Sequence, residues 1–284
     1  MPHLRRVYLL PPDLEDELVA GLWLGGTLGA RSAMQADGRL RLEAWFPADA
    51  APIRVGADVE LAAEEVVADA DWLAAYRERA RPFPVGRTLF VDPREPGEEP
   101  AAVPAGRRLL HLPARAAFGT GSHESTALAL ELLEAADVRG LRVLDVGTGT
   151  GVLAFACLLF GARFVAGFDA DPAAPFHARI NSALNVLHPH WFAGRLAAIR
   201  ERPFFDLALV NVVPEQILPE MPDLVRLLRP GAEAILSGIL AERGRQVLDR
   251  MRGLGFTERD RRTAGDWVAF RVAMAPTPTF PDTP

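Results

Sequence analysis

Three glycines at alternate positions, closing an apolar run, constrain this chain more than any other feature. The run is Val143-Leu144-Asp145-Val146, the turn is Gly147-Thr148-Gly149-Thr150-Gly151, and residues 153–160 continue as a helix-forming apolar stretch. Strand, tight turn and helix start in that order describe a nucleotide-binding βα unit. Glycine lets the backbone adopt positive φ and lets a ligand approach without meeting a Cβ. A dinucleotide site places its third glycine three positions after the second, where this chain has Val152. The G-x-G-x-G spacing therefore disfavours a pyrophosphate on the helix N-terminus, and with it a nicotinamide dehydrogenase.

One βα unit later, Arg163-Phe164-Val165-Ala166-Gly167-Phe168-Asp169-Ala170-Asp171-Pro172 reads as a second strand ending in an acid. A carboxylate there can accept hydrogen bonds from both hydroxyls of a ribose, and Asp169 is the residue assigned that role. Asp171 caps the helix that Pro172 opens. Residues 205–211 form a third strand, which ends in Asn211 at the carboxyl edge where open α/β sheets bind ligands.

A second informative stretch is Ala117-Phe118-Gly119-Thr120-Gly121-Ser122-His123-Glu124-Ser125-Thr126, ahead of a helix over residues 127–135. Its hydroxyls suit either capping or a polar ligand. His123 reads equally as a surface histidine or as a chemical group.

Composition narrows the class. The chain has 284 residues, 49% hydrophobic and 24% charged, enough for a large α/β domain and a small companion. No apolar run approaches the roughly 18 residues of a membrane helix, and the N-terminus lacks a signal-peptide pattern. The single Cys157 reads as a core residue, so cytoplasmic localisation is expected. All 31 basic residues are arginine, which excludes a lysine base or Schiff base. A net charge of −6 suits a basic partner better than nucleic acid.

Along the chain, strands are expected at residues 6–10, 27–30, 40–46 and 58–61, with a helix at 14–22. Together they make a small α+β, ferredoxin-like domain over residues 1–65. It carries no catalytic constellation, and reads equally as an appendage or as a recognition module. A linker helix is expected within 66–84, between Asp69 and Arg79, and a strand at 87–91. A proline-rich loop follows at 92–106, the main domain occupies 85–274, and 275–284 form a disordered tail.

The glycine turn, the acidic strand end and the strand ending in Asn211 resemble class I S-adenosylmethionine (AdoMet) methyltransferases. The order Phe-Gly-Thr-Gly-x-His-x-Ser-Thr, then Asp-x-Gly-x-Gly-x-Gly, then Asp-x-Asp-Pro is similar to ribosomal protein methyltransferases of the PrmA type, which act on large-subunit protein eleven. The resemblance covers about residues 69–272 and is only compatible before that. It implies a Rossmann-like, seven-stranded, mostly parallel sheet ending in an antiparallel hairpin over residues 257–272. It also implies a substrate-recognition role for residues 1–65.

The resemblance further implies AdoMet as cofactor, bound at Phe118, Thr120, Thr126, Asp145, Gly147, Gly149, Gly151, Asp169 and Asn211. Asn211 would orient the acceptor amine, and no metal is implied. The substrate would be a ribosomal protein methylated on lysine or α-amine nitrogen, with no direct contact to nucleic acid or membrane and a monomeric enzyme. Asn211-Val212-Val213-Pro214 departs from the family's usual turn. That leaves as alternatives a methyltransferase for another protein or small amine, and a noncatalytic AdoMet-binding protein.

Overall fold

A computed structural model describes residues 3–67, 80–97, 99–113, 121, 123–199 and 202–275. The chain divides into two units, residues 1–78 and 79–284.

In the first unit, β1 (His3–Leu10) and β3 (Leu40–Pro47) alternate so that Leu4, Tyr8, Leu10, Leu40, Leu42, Ala44 and Phe46 share one buried cluster. With β2 (Gly29–Met34) and β4 (Glu60–Val67) they form an antiparallel sheet in the order β2-β3-β1-β4. Helix α1 (Glu15–Leu24) links β1 to β2. This is the strand order of the expected ferredoxin-like unit, with one helix where that fold has two. Residues 48–59 cross from β3 to β4 without a helix, and Ala50, Ile53, Val55 and Val59 pack against the core instead.

Buried Arg6 ties this crossing to the sheet. Its guanidinium donates to Glu64 at 2.6 Å and to the carbonyls of Ala51 and Ala50 at 2.9 and 3.2 Å, and lies over the Phe46 ring. A buried charge so bonded is compensated.

The second unit opens with a sheet of β5 (Phe83–Val85), β6 (Leu89–Asp92) and β7 (Arg108–His111), in which β6 falls on the strand expected at residues 87–91 and β5 and β7 were not expected. The expected linker helix lies outside the described residues, and the two ends of the 66–84 span are strand, in β4 and β5. Of the expected tail, 276–284 also lie outside them, while the Ala275 N–H donates to the Gly255 carbonyl. Glu134, on α2 (Glu124–Ala135), accepts from the Arg87 and Thr88 backbone N–H groups and so fastens this small sheet to the main one.

The main sheet contains β8 (Arg142–Val146), β9 (Phe164–Asp169), β10 (His190–Ala193), β11 (Phe205–Asn211), β12 (Leu228–Leu240), β13 (Phe256–Ala264) and β14 (Trp267–Met274). Their order is β10-β9-β8-β11-β12-β14-β13. The first five are parallel and β14 is antiparallel to both neighbours, as the sequence led us to expect.

Period-two alternation feeds two cores. Val143, Leu207 and Leu209 join one with α2 and α3 (Val152–Leu159), whereas Leu144, Val146, Ala208 and Val210 join the other. Cys157 is buried in the first core. The connections diverge at the adjacent ends of β8 and β11, where a doubly wound sheet opens a crevice.

Candidate active site

At the β8 end, Gly147, Gly149 and Gly151 all have positive φ, at 67°, 52° and 87°. The turn is braced from inside. Asp145, 1% exposed, accepts from the Thr148 hydroxyl at 2.6 Å. Asn181, on α4 (Ala173–Asn185), donates to the Thr150 carbonyl at 3.0 Å. Asp145 thus lies beneath the turn, not on its open side. Burial pushes its carboxyl up to about pKa 7, aided by the Asp169 charge and opposed by donors from Thr148 and the Ala154 N–H.

The folded state therefore holds a proton that an unfolded carboxyl, with pKa about 3.9, releases. The stabilising contribution of Asp145 is complete below about pH 4 and is lost as pH rises through about 7. Asp145→Asn should gain stability relative to wild type between pH 5 and pH 8, by about 2.5–3 kcal/mol. Denaturant melts at the two pH values measure this, and a constant difference would show that Asp145 is ionised throughout.

Asp169 ends β9 and is half-buried. Its Oδ2 accepts from the Gly149 N–H and its Oδ1 from the Asp171 N–H, both at 3.1 Å. Burial raises its pKa while those donors pull it down. Each oxygen keeps lone-pair capacity for a further donor. Asp171 accepts from the Ala173 N–H at 2.9 Å, which makes it a cap of α4.

Asn211 ends β11, and its Nδ2 lies 3.1 Å from the buried Thr126 hydroxyl. Its Oδ1 is buried and has no partner among the described residues. Gly238 of β12, at φ 75°, lies so close that a Cβ would come within 3.1 Å of Oδ1. Helix α2 starts at Glu124, three residues earlier than expected. The Nδ1 of His123 caps it by accepting from the Ser125 N–H, and the ring meets Trp267 edge-on. Capping is therefore the work of His123, and Thr126 is left to face Asn211. Phe118 and Thr120 lie outside the described residues.

Two contacts were not legible in the sequence. Val212 Cγ2 sits 2.4 Å from where a Cβ on Gly147 would be, so this glycine admits a neighbouring side chain where open ligand space was expected. Trp191 of β10 lies 2.4 Å from the equivalent position on Gly167 and 2.8 Å from that on Gly151, and donates to Ser182. The signal for it was Gly167 itself, a glycine inside an apolar strand. Among the described residues no acid, histidine or cysteine cluster could hold a metal.

The sequence profile described as ribosomal protein L11 methyltransferase (PrmA) matches residues 45–274. The chain belongs to this family. A ribosomal protein L11 methyltransferase of Thermus thermophilus is 34% identical over 270 residues, covering 92% of this chain and 97% of that protein. Those of Geobacter metallireducens and Geobacter sulfurreducens are 38% and 39% identical over 69% and 72% of this chain, matches that take in 64% and 66% of their own length. The crystal structure of a ribosomal protein L11 methylase from Lactobacillus delbrueckii subsp. bulgaricus superposes with a TM-score of 0.63 at 28% identity. It covers 69% of this chain and 99% of that one.

The family's cofactor is AdoMet, and the residues present fit it. Asp169, beside the positive-φ glycine turn, offers two oxygens that among the described residues are held only by backbone N–H groups, each able to take a further donor. Losing a charged acceptor of two hydroxyls costs on the order of 2–3 kcal/mol. Asp169→Ala should therefore weaken AdoMet binding by roughly 30- to 150-fold in calorimetry. Unchanged affinity would place the ribose elsewhere.

Proposed function

We propose that this chain transfers methyl groups from AdoMet to amine nitrogens, on lysine side chains or the N-terminal α-amine, of ribosomal protein L11. The observation that carries the reading is the Thr126–Asn211 pair at the β11 end, with a side-chain acceptor beside the glycine turn that has no partner among the described residues. Bound AdoMet supplies an electrophilic methyl on a good sulfonium leaving group. The residues of the chain then have to bind and aim. Asp169 and the glycine turn hold one end of the cleft. Asn211 presents a carbonyl oxygen that an amine N–H can donate to, and Thr126 holds the amide against rotation.

An ammonium has no lone pair, so the acceptor must first release a proton. No described side chain is placed as its base, and solvent takes the proton. Most of the rate enhancement is then positioning. The family match over both units supports large-subunit protein eleven as the substrate, with residues 1–65 selecting it and the reaction taking place in the cytoplasm. No helix among the described residues is long and apolar enough to cross a membrane.

The test is incubation of the full chain with labelled AdoMet and a complete set of purified ribosomal proteins. Label confined to L11 is the expected outcome. Label on another protein or on a small amine alone would displace the substrate assignment, and no label anywhere would displace the enzymatic reading.

A further inference from the structure

The negative charge of the chain is concentrated in one unit. Residues 1–78 hold fourteen acids against seven arginines, whereas residues 79–284 hold twenty-three acids against twenty-four arginines. In that acidic unit β4 is an edge strand, and every residue from Glu60 to Val66 is exposed. The crossing without a helix explains part of this exposure. Leu61 and Val66 pair across from Tyr8 and Leu4 and so face the same side as the core. The crossing residues 48–59 cover Phe46 and Arg6 there but leave Leu61 47% and Val66 65% exposed.

Glu60, Glu64 and Glu65 interleave with them. Each is paired with one arginine, Arg39, Arg6 and Arg5 respectively, and each keeps about half its side chain in solvent. An edge strand with two exposed aliphatic side chains and three accessible carboxylates has the chemistry to dock an extended or helical cationic segment.

We propose that β4, with Leu61 and Val66 at its centre, docks a basic segment of the protein substrate. This rests on the methyltransferase reading for the identity of the partner. The occupant follows from charge: a protein that sits on ribosomal RNA must present a basic surface to phosphate, and an excess of seven acids attracts it. The same excess repels RNA and a second copy of this unit.

The experiment uses the full chain and purified ribosomal protein L11. Binding is read by calorimetry and methyl transfer is read separately. The double variant Leu61→Arg/Val66→Arg should weaken L11 binding, and raise its KM, by about tenfold or more, with AdoMet affinity and kcat within about twofold of wild type. Leu61→Ala/Val66→Ala, which introduces no charge and is milder for folding, should weaken binding by about threefold with an unchanged melting curve. Raising salt should weaken wild-type binding steeply.

Wild-type L11 binding left intact by both variants overturns the proposal, as does no L11 binding by wild type. So does self-association, or binding of an RNA fragment, that the variants abolish. L11 binding that the variants weaken, with no methyl transfer by wild type, supports the docking surface while overturning the catalytic reading.

Discussion

Asn211→Ala should lower the rate of methyl transfer by about 100-fold or more and leave AdoMet affinity nearly unchanged. The side chain spans two elements: Nδ2 meets Thr126 at the start of α2, while Oδ1 is buried beside Gly238 without a partner among the described residues. A buried carbonyl oxygen left unsatisfied is costly unless something donates to it during the functional cycle. If the donor is the acceptor amine, the interaction is strongest when the lone pair is aligned with the methyl, and its loss falls on kcat. Single-turnover kinetics together with calorimetry separate the cases. A fall in AdoMet affinity of the same size would assign Asn211 to the cofactor, and two unchanged quantities would remove it from the site.

Gly147→Val should abolish measurable AdoMet binding, a loss of more than about 100-fold, while the sheet remains folded. Two costs coincide. The residue sits at φ 67°, a conformation strained for any β-branched side chain. Its Cβ would also drive into Val212, the residue directly after Asn211. The substitution therefore disturbs the glycine turn and the acceptor turn together. Circular dichroism showing a folded chain, with no calorimetric binding, is the expected pair of results. Wild-type affinity would mean that Val212 moves aside and that the glycine serves only the turn.

The parts of the fold that could be read in advance are those whose signals are local. Strands β8, β9 and β11 are apolar runs ended by Gly147, Asp169 and Asn211, so each announces both its element and its functional end. β5 was harder. It is three residues long, and Pro84 reads as a breaker although it sits within the strand. β4 extends to Val67, well beyond the expected Leu61, because a strand exposed on both faces has no hydrophobic alternation to reveal it. The start of α2 was displaced because a histidine, and not one of the usual short polar residues, caps it. Contacts such as Val212 on Gly147, or Trp191 on Gly167, join distant segments, and only the sheet order brings them together.

The central claim is amine methylation at the β11 end, and peptide mass mapping tests it most directly. Full-length protein, AdoMet and purified ribosomal protein L11 are allowed to react, and the product is digested and sequenced by mass. The account predicts methyl increments on lysine Nζ or the N-terminal nitrogen, and their loss when Asn211→Ala replaces wild type. Methyl groups found on oxygen or sulfur atoms, or on nitrogen to the same extent with Asn211→Ala, would contradict it.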